Sequence, residues 1–285
     1  MIPPQARLLE HRLADLGSDL RDRGSVLVAF SGGADSAFLL AAAVRALGPE
    51  NVAAGTAYSA SLPQSERSPA LEFADDLGVG VYTPQTHEME REGYRANAGD
   101  RCYFCKAELI DVLGPLARDH GFAHVATGTN ADDAVAGFRP GIRAAAERGA
   151  ITPLRDAGLT KQQIRAASQQ WDLPTWDKPA AACLSSRVAY GVEVSPHRLS
   201  RIERAEVAVR SACGAAGIDV RNLRVRDLGD RARIEIDADL VAAAAGSPGV
   251  LEAALGAGFE HADIDPKGFR SGAMNERLSR PGDYR

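Results

Sequence analysis

The stretch Ser25-Val26-Leu27-Val28-Ala29-Phe30-Ser31-Gly32-Gly33-Ala34-Asp35-Ser36 joins an apolar run of strand length to a glycine turn, and an Ala/Leu-rich helical pattern follows over about 37–47. Two glycines let a backbone turn tightly and bring its N–H groups close to a ligand, and hydroxyls at a helix N-terminus add donors where the dipole favours an anion. Ser31, Gly32, Gly33 and Ser36 are therefore candidates for gripping a phosphate. An acid beside a phosphate makes sense if it holds a Mg²⁺ that bridges to the phosphate, so Asp35 is a candidate metal ligand. The plainer alternative is a strand-to-helix turn in which Asp35 and the serines serve as caps.

Outward from this loop, β-rich runs alternate with helical patterns. A second strand is expected over 51–58, a helix over 65–77, a third strand over 79–83, a helix over 104–120 and a fourth strand over 124–128; 151–154 is a candidate fifth. That alternation predicts an α/β fold with a doubly wound parallel sheet, whose ligand sits beyond the carboxyl ends of the strands where the first and fourth loops meet. Gly128, Thr129 and Asp132 of the fourth loop are candidate ligand contacts, against the alternative that Asn130, Asp132 and Asp133 merely cap a helix. After a helix over 161–171, Pro174 and Pro179 break the periodicity, which puts a boundary between residues 1–180 and a smaller α+β domain, 181–285. There the pattern predicts a helix over 196–216, one or two strands over 221–236 around Gly229, a helix over 239–255 and a strand over 262–269.

The 285 residues suffice for two domains with real cores. Lys and Arg number 33 against 38 Asp and Glu, a net charge of −5, so no global basic field draws the chain to nucleic acid or an anionic membrane, and any anion site must be local. The longest apolar run, Ala37 to Val44, falls far short of the roughly 20 residues of a membrane helix. No apolar leader opens the chain, and a cytoplasmic enzyme is expected.

Four cysteines do not make a disulfide framework in a chain of this length. Cys102-Tyr103-Phe104-Cys105 admits several readings. A redox pair wants a low-pKa thiol at a helix N-terminus. A structural zinc wants four ligands, and no second such pair is near. With Cys183 as a further ligand, three thiolates hold three irons of a [4Fe–4S] cluster and leave the fourth iron open for sulfide. Two buried cysteines without a role remain the plain alternative. Cys183 lies in Lys178-Pro179-Ala180-Ala181-Ala182-Cys183-Leu184-Ser185-Ser186-Arg187, with Tyr190-Gly191 behind it; positive charge nearby favours a thiolate, which suits a nucleophile or a ligand. Cys213, in a helical pattern among Ala and Gly, reads as a small core residue.

The hexapeptide 31–36 after the first strand resembles the pyrophosphate loop of the N-type ATP pyrophosphatases, which implies cleavage of ATP to AMP and pyrophosphate while an acceptor oxygen is adenylated. Taken with Arg-Cys-Tyr-Phe-Cys-Lys at 101–106, the segment 178–191, Arg-Ile-Glu-Arg-Ala-Glu at 201–206 and Arg-Val-Arg-Asp-Leu-Gly-Asp-Arg-Ala-Arg-Ile-Glu at 224–235, the chain looks like the LarE family from about Ser25 to Asp237. The resemblance implies adenylation of a carboxylate of a pyridinium mononucleotide and replacement of its oxygen by sulfur, in nickel-pincer cofactor synthesis. It implies ATP and Mg²⁺ as cofactors, a small-molecule mononucleotide and a sulfide donor as partners, and a homo-oligomer. Family members deliver sulfur either from a lone Cys that becomes dehydroalanine or through a [4Fe–4S] cluster. The full set of Cys102, Cys105 and Cys183 favours the cluster, with sacrifice of Cys183 as the route where none is present.

Arg224 and Arg226 stand two apart, so on a strand both face one side, a geometry for a phosphate clamp; the alternative is a solvated charged strand. The phosphorylated substrate implied by the resemblance favours the clamp, with Arg187 as a third donor and Glu235 orienting the arginines. Glu206, on an amphipathic helix, is expected at the surface. Two other functions compete. A tRNA thiolase also pairs such a loop with cysteines, but the acidic chain shows no basic, aromatic-interleaved surface. An ammonia-dependent synthetase leaves the three cysteines without a task.

Overall fold

The computed structural model describes residues 4–135, 139–179, 182–270 and 272–274. Four short strands, β1 (Val26–Ala29), β2 (Val52–Gly55), β3 (Gly80–Tyr82) and β4 (His124–Thr127), form an all-parallel sheet in the order β3-β2-β1-β4. Ala29 lies level with both Gly55 and Thr127, so the carboxyl ends of β2, β1 and β4 finish together. The β1 run is apolar throughout because both of its faces are covered. Val26, Val28 and Phe30 pack under the helices Pro4–Arg23, Ala34–Leu47, Arg67–Asp76 and Lys161–Gln170. Leu27 and Ala29 face Ile110, Leu113 and Ala117 of the helix Arg101–Asp119. Gly55 permits that seat, since a Cβ there would stand 2.7 Å from a Leu113 methyl.

The expected doubly wound sheet is therefore present, with corrections at its edges. The fifth strand reduces to one parallel bridge between Ala126 and Ile151, because Pro153 opens the short helix Pro153–Asp156. The helices Pro4–Arg23 and Pro140–Glu147 had no counterpart in the sequence reading. The helix expected from residue 104 starts at Arg101, which puts Cys102 and Cys105 in its first turn.

In the second half, β5 (Leu223–Asp227) and β6 (Arg231–Ile236) pair antiparallel and β7 (His261–Ile264) adds parallel to β6. The helix Pro196–Ala215 covers this sheet with Leu199, Ile202 and Val209. The single helix expected over 239–255 is broken: its two parts, 238–245 and 248–256, meet at 89°. Pro248 supplies no N–H to an upstream carbonyl, so it starts the second part at its N1 position instead of continuing the first. The core of this half also takes in Tyr94, with Met89, Phe104 and Cys105 packed against it, all from before residue 106. The expected boundary itself falls on residues 180 and 181, outside the described residues. Among the described residues no single helix is long and apolar enough to cross a membrane.

Candidate active site

Strand order reverses beside β1, whose neighbours β2 and β4 are reached by crossovers in opposite directions, and there a crevice must open. A cavity of about 490 Å³ lies at that point, lined among others by Ser31, Gly33, Asp35, Ser36, Gly128 and Thr129. Gly32 adopts φ +69°, where a side chain is strained and where a Cβ would stand 3.2 Å from that of Ala70. Gly33 caps the helix Ala34–Leu47 without any side-chain hydrogen bond, which leaves first-turn N–H groups for a ligand. The Ser36 hydroxyl donates to the Gly33 carbonyl (3.1 Å) and accepts from the Ser31 amide (3.3 Å), fixing the loop's curvature. A Cβ on Gly128 would stand 2.9 Å from the Ser36 nitrogen, so only glycine lets the end of β4 approach this turn.

Asp35 accepts from Asn130 Nδ2 at 3.1 Å. Burial pushes its carboxyl above the ordinary carboxylate range; Lys161 opposes this and Asp133 adds to it. The fourth loop divides its two acids. Asp132, singled out from sequence, is exposed and accepts the Lys161 backbone N–H at 2.8 Å, whereas Asp133 lines the cavity and also accepts the Asn130 amide (3.3 Å) while its own amide donates to Asn130 Oδ1 (3.1 Å), the capping arrangement the sequence offered as the alternative. Lys161, Arg165 and Lys178 also line the cavity. Lys178 Nζ donates to the Gly32 carbonyl (3.0 Å) and to Glu66 (2.7 Å), which ties the glycine turn to the segment leading to Cys183. These three cations escaped the sequence reading because they come from elements distant from the loop; the one available signal was that Lys178 opens the cysteine segment.

A second cavity, of about 380 Å³, adjoins the first: Lys106 and Asp133 line both. Cys105 and Cys183 face the first cavity, and the exposed Cys102 faces the second. Cys183 stands at the start of the tight turn Leu184–Arg187, which is fastened on several sides. The Leu184 amide donates to the Ser61 carbonyl (2.8 Å), Arg101 donates to the Ser185 carbonyl (2.7 Å), and the Tyr94 and Ser185 hydroxyls share a hydrogen bond. Asn97, fully buried with φ +51°, donates to the Ala189 and Val192 carbonyls, each at 2.8 Å. Burial pushes the Cys105 thiol up, and Cys183, Glu88 and Cys102 push it further. Among the described residues, the group of ligand atoms found within 4.8 Å of one another is the exposed Asp230, Glu260 and His261, so the three cysteines are not packed around a single ion. Cys213 is buried in the second core, as its helical pattern suggested.

Arg224 and Arg226 share one side of β5 and both line the second cavity. Arg226 is buried, donates to Glu235 (2.7 Å) and to the Ser186 carbonyl (3.1 Å), and keeps a buried Nε that has no partner. Burial, with Arg187 and Arg226 nearby, lowers Arg224 to about 10, an environment suited to an incoming anion. Arg187, expected as a third phosphate donor, lines neither cavity. It is spent on Glu206 (2.9 Å) and on the Ala182 and Cys183 carbonyls, and so fastens the cysteine turn to the helix Pro196–Ala215. Glu206 departs from its expected surface position for the same reason: its side of the helix packs on β5, where it also accepts the Val225 amide at 3.0 Å. Arg101 and Arg139, not singled out from sequence, complete the basic lining.

No family model matches the sequence. The chain is 37% identical over 281 residues to an uncharacterized protein of Synechocystis sp., covering 96% of this chain and 100% of that one. Over 144 residues, 50% of this chain and 54% of the relative, it is 31% identical to an uncharacterized protein of Methanocaldococcus jannaschii. It is 32% identical over 273 residues to the pyridinium-3,5-bisthiocarboxylic acid mononucleotide synthase of Lactiplantibacillus plantarum, covering 95% of this chain and 96% of the relative. Likeness of that extent takes in the nucleotide-type loop, the cysteine turn and the arginine strand together, and the chain belongs to the LarE family of pyridinium-3,5-bisthiocarboxylic acid mononucleotide synthases.

Proposed function

We propose that this chain is an ATP-dependent sulfur transferase that adenylates a carboxylate of pyridinium-3,5-biscarboxylic acid mononucleotide and replaces the activated oxygen with sulfur. The observation that carries this reading is the junction of the two cavities: a glycine-turn pocket and an arginine-lined pocket share a wall, Lys106 and Asp133, and the three cysteines stand at that junction. In the first cavity, the uncapped N–H groups of the helix Ala34–Leu47 with Lys161 and Arg165 receive the triphosphate. Asp35 suits a Mg²⁺ ligand: its burial disfavours a lone carboxylate charge, which a cation would relieve.

In the second cavity Arg224 and Arg226 take the substrate phosphate, with Glu235 holding Arg226 in place. The substrate carboxylate then points to the shared wall, attacks the α-phosphorus of ATP and expels pyrophosphate. Attack of sulfide on the acyl carbon expels AMP and leaves a thiocarboxylate. The three cysteines fit a [4Fe–4S] cluster: they come from two segments bound together by buried hydrogen bonds, they number three, and they are spread more widely than a single ion requires. When bound, the cluster would supply a sulfide on the iron that has no protein ligand.

The test is anaerobic incubation of iron-loaded protein with the mononucleotide, ATP and sulfide. AMP, pyrophosphate and the thiocarboxylate are expected in equal amounts, and ADP in place of AMP would sink the reading. The anion clamp has its own expected result. Arg224→Ala or Arg226→Ala raises KM for the mononucleotide about tenfold or more, each charge-assisted bond contributing roughly 1.5–3 kcal/mol, while ATP affinity stays nearly unchanged. An equal loss of ATP affinity in these variants would move the two arginines to the nucleotide pocket.

A further inference from the structure

Arg101 is 4% exposed, yet no carboxylate among the described residues pairs with it. Its guanidinium donates only to neutral oxygens, Asn97 Oδ1 and the Ser185 carbonyl, and its flat face lies 5.7 Å from the centre of the Tyr190 ring. Lys106, five residues on, also has no hydrogen bond or ion pair among the described residues. None of the carboxylates that line its cavity reaches it: Asp133 pairs with Arg139 (3.4 Å), while Glu88 and Asp35 accept from neutral groups, the Ser61 hydroxyl (3.2 Å) and Asn130 (3.1 Å). A buried cation with no carboxylate in contact, as Arg101 is, is strongly unfavourable unless an anion arrives to meet it, and the half-buried Lys106 lines the same second cavity. These two cations stand immediately before Cys102 and immediately after Cys105.

We propose that Arg101 and Lys106 are the counter-charges of the sulfide-loaded metal site, and that they set how tightly the chain retains hydrosulfide. The inference rests on the cluster reading above and follows from counting charge. A dicationic four-iron core on three cysteine thiolates is a monoanion; one hydrosulfide ligand on the open iron makes it a dianion. Arg101 and Lys106 flank the cysteine pair with two positive charges that match that dianion, whereas without hydrosulfide one of these two charges has no counterpart on the cluster. In a low-dielectric site the balance favours the loaded state. Ligand exchange at the open iron is the sole chemical event invoked, with no electron transferred.

The experiment is a spectroscopic titration of anaerobically reconstituted protein with sodium sulfide, with iron content measured in parallel. Lys106→Met is expected to keep full iron while weakening sulfide retention on the order of tenfold or more, and Arg101→Gln, which also loosens the turn carrying Cys183, to weaken retention at least as much per iron bound. Arg101→Lys and Lys106→Arg, which keep the charge, should remain within about threefold of the parent protein. Lys106→Met breaks no hydrogen bond, so it carries the test even if Arg101→Gln fails to fold. Full iron with unchanged sulfide affinity in Lys106→Met overturns the inference and leaves the cluster reading intact. An unmodified chain that takes up no iron overturns the cluster reading, and this inference with it. A variant that keeps its sulfide affinity but loses mononucleotide affinity assigns the charge to the substrate and also overturns it.

Discussion

Alanine at Cys102, Cys105 or Cys183 is expected to strip the anaerobically reconstituted chain of its iron, from about four atoms per chain to near none, and to abolish repeated turnover with added sulfide. The expectation is steep because the three positions are not redundant. Cys102 and Cys105 stand in one helical turn, and Cys183 is delivered from a turn that Arg101, Tyr94 and Arg187 hold from three sides. Removing any one leaves two ligands on four irons, and the other described cysteine, Cys213, is buried in the second core. Cys213→Ala should therefore keep its iron and cost only about 1 kcal/mol of stability. Iron and acid-labile sulfide assays with a turnover count make the check. A metal-free parent protein that reacts once and loses the sulfur of Cys183 would establish the sacrificial route; in that case Cys102→Ala and Cys105→Ala would react as the parent does.

Asp35→Ala is expected to lower pyrophosphate release about a thousandfold or more, because the proposed Mg²⁺, which would offset charge on the leaving phosphates, would lose its ligand. Ser31→Ala should lower it less, since the Ser36 hydroxyl and the helix N–H groups remain. The same site makes an opposite expectation for stability. The Asp35 carboxyl lies above its unfolded value through burial, so the stability it contributes is held at low pH and is lost as pH rises through that raised value. Above that raised value the metal-free chain carries a charged group it would fold better without. Asp35→Asn, which can still accept from Asn130, should raise Tm of the metal-free protein by about 2 °C while remaining inactive. A fall in Tm on that substitution would show that the carboxylate is already compensated within the fold.

What could be read from the sequence was whatever one segment decides alone. The β1 run, the two glycines and the Ala-rich helix are contiguous, so the loop and the sheet around it were legible in residues 25–47. The helix carrying the cysteine pair starts three residues before the position its pattern predicts; Asp100, a residue type suited to an N-cap, stands at its start but makes no side-chain capping bond there. Its neighbour Pro140–Glu147 is eight residues long, too short for periodicity to announce it. The helix over 239–255 was drawn through Gly246-Ser247-Pro248 because alanine content outweighed one proline. In the site, the division was between residues that act through local shape and those that act across the fold. Gly32 and Gly128 declare themselves by what glycine alone permits. Arg187 and Glu206 do not, because their partners lie nineteen residues apart in the chain and meet only when the helix Pro196–Ala215 covers β5. Lys161, Arg165 and Lys178 converge on the nucleotide pocket from a helix and a loop that no motif links to it.

Tyr94, Met89 and Phe104 close the second core although they are synthesised well before any of its strands. A nascent chain thus leaves the ribosome with these apolar side chains uncovered by β5, β6 and β7 until those strands have followed, and Tyr94 meets its partner Ser185 only after some ninety further residues. The parallel sheet is complete at Thr127 and the glycine-turn cavity draws most of its lining from that half, whereas the turn that carries Cys183 packs on β5. The proposed sulfur chemistry would therefore wait on residues that leave the ribosome late.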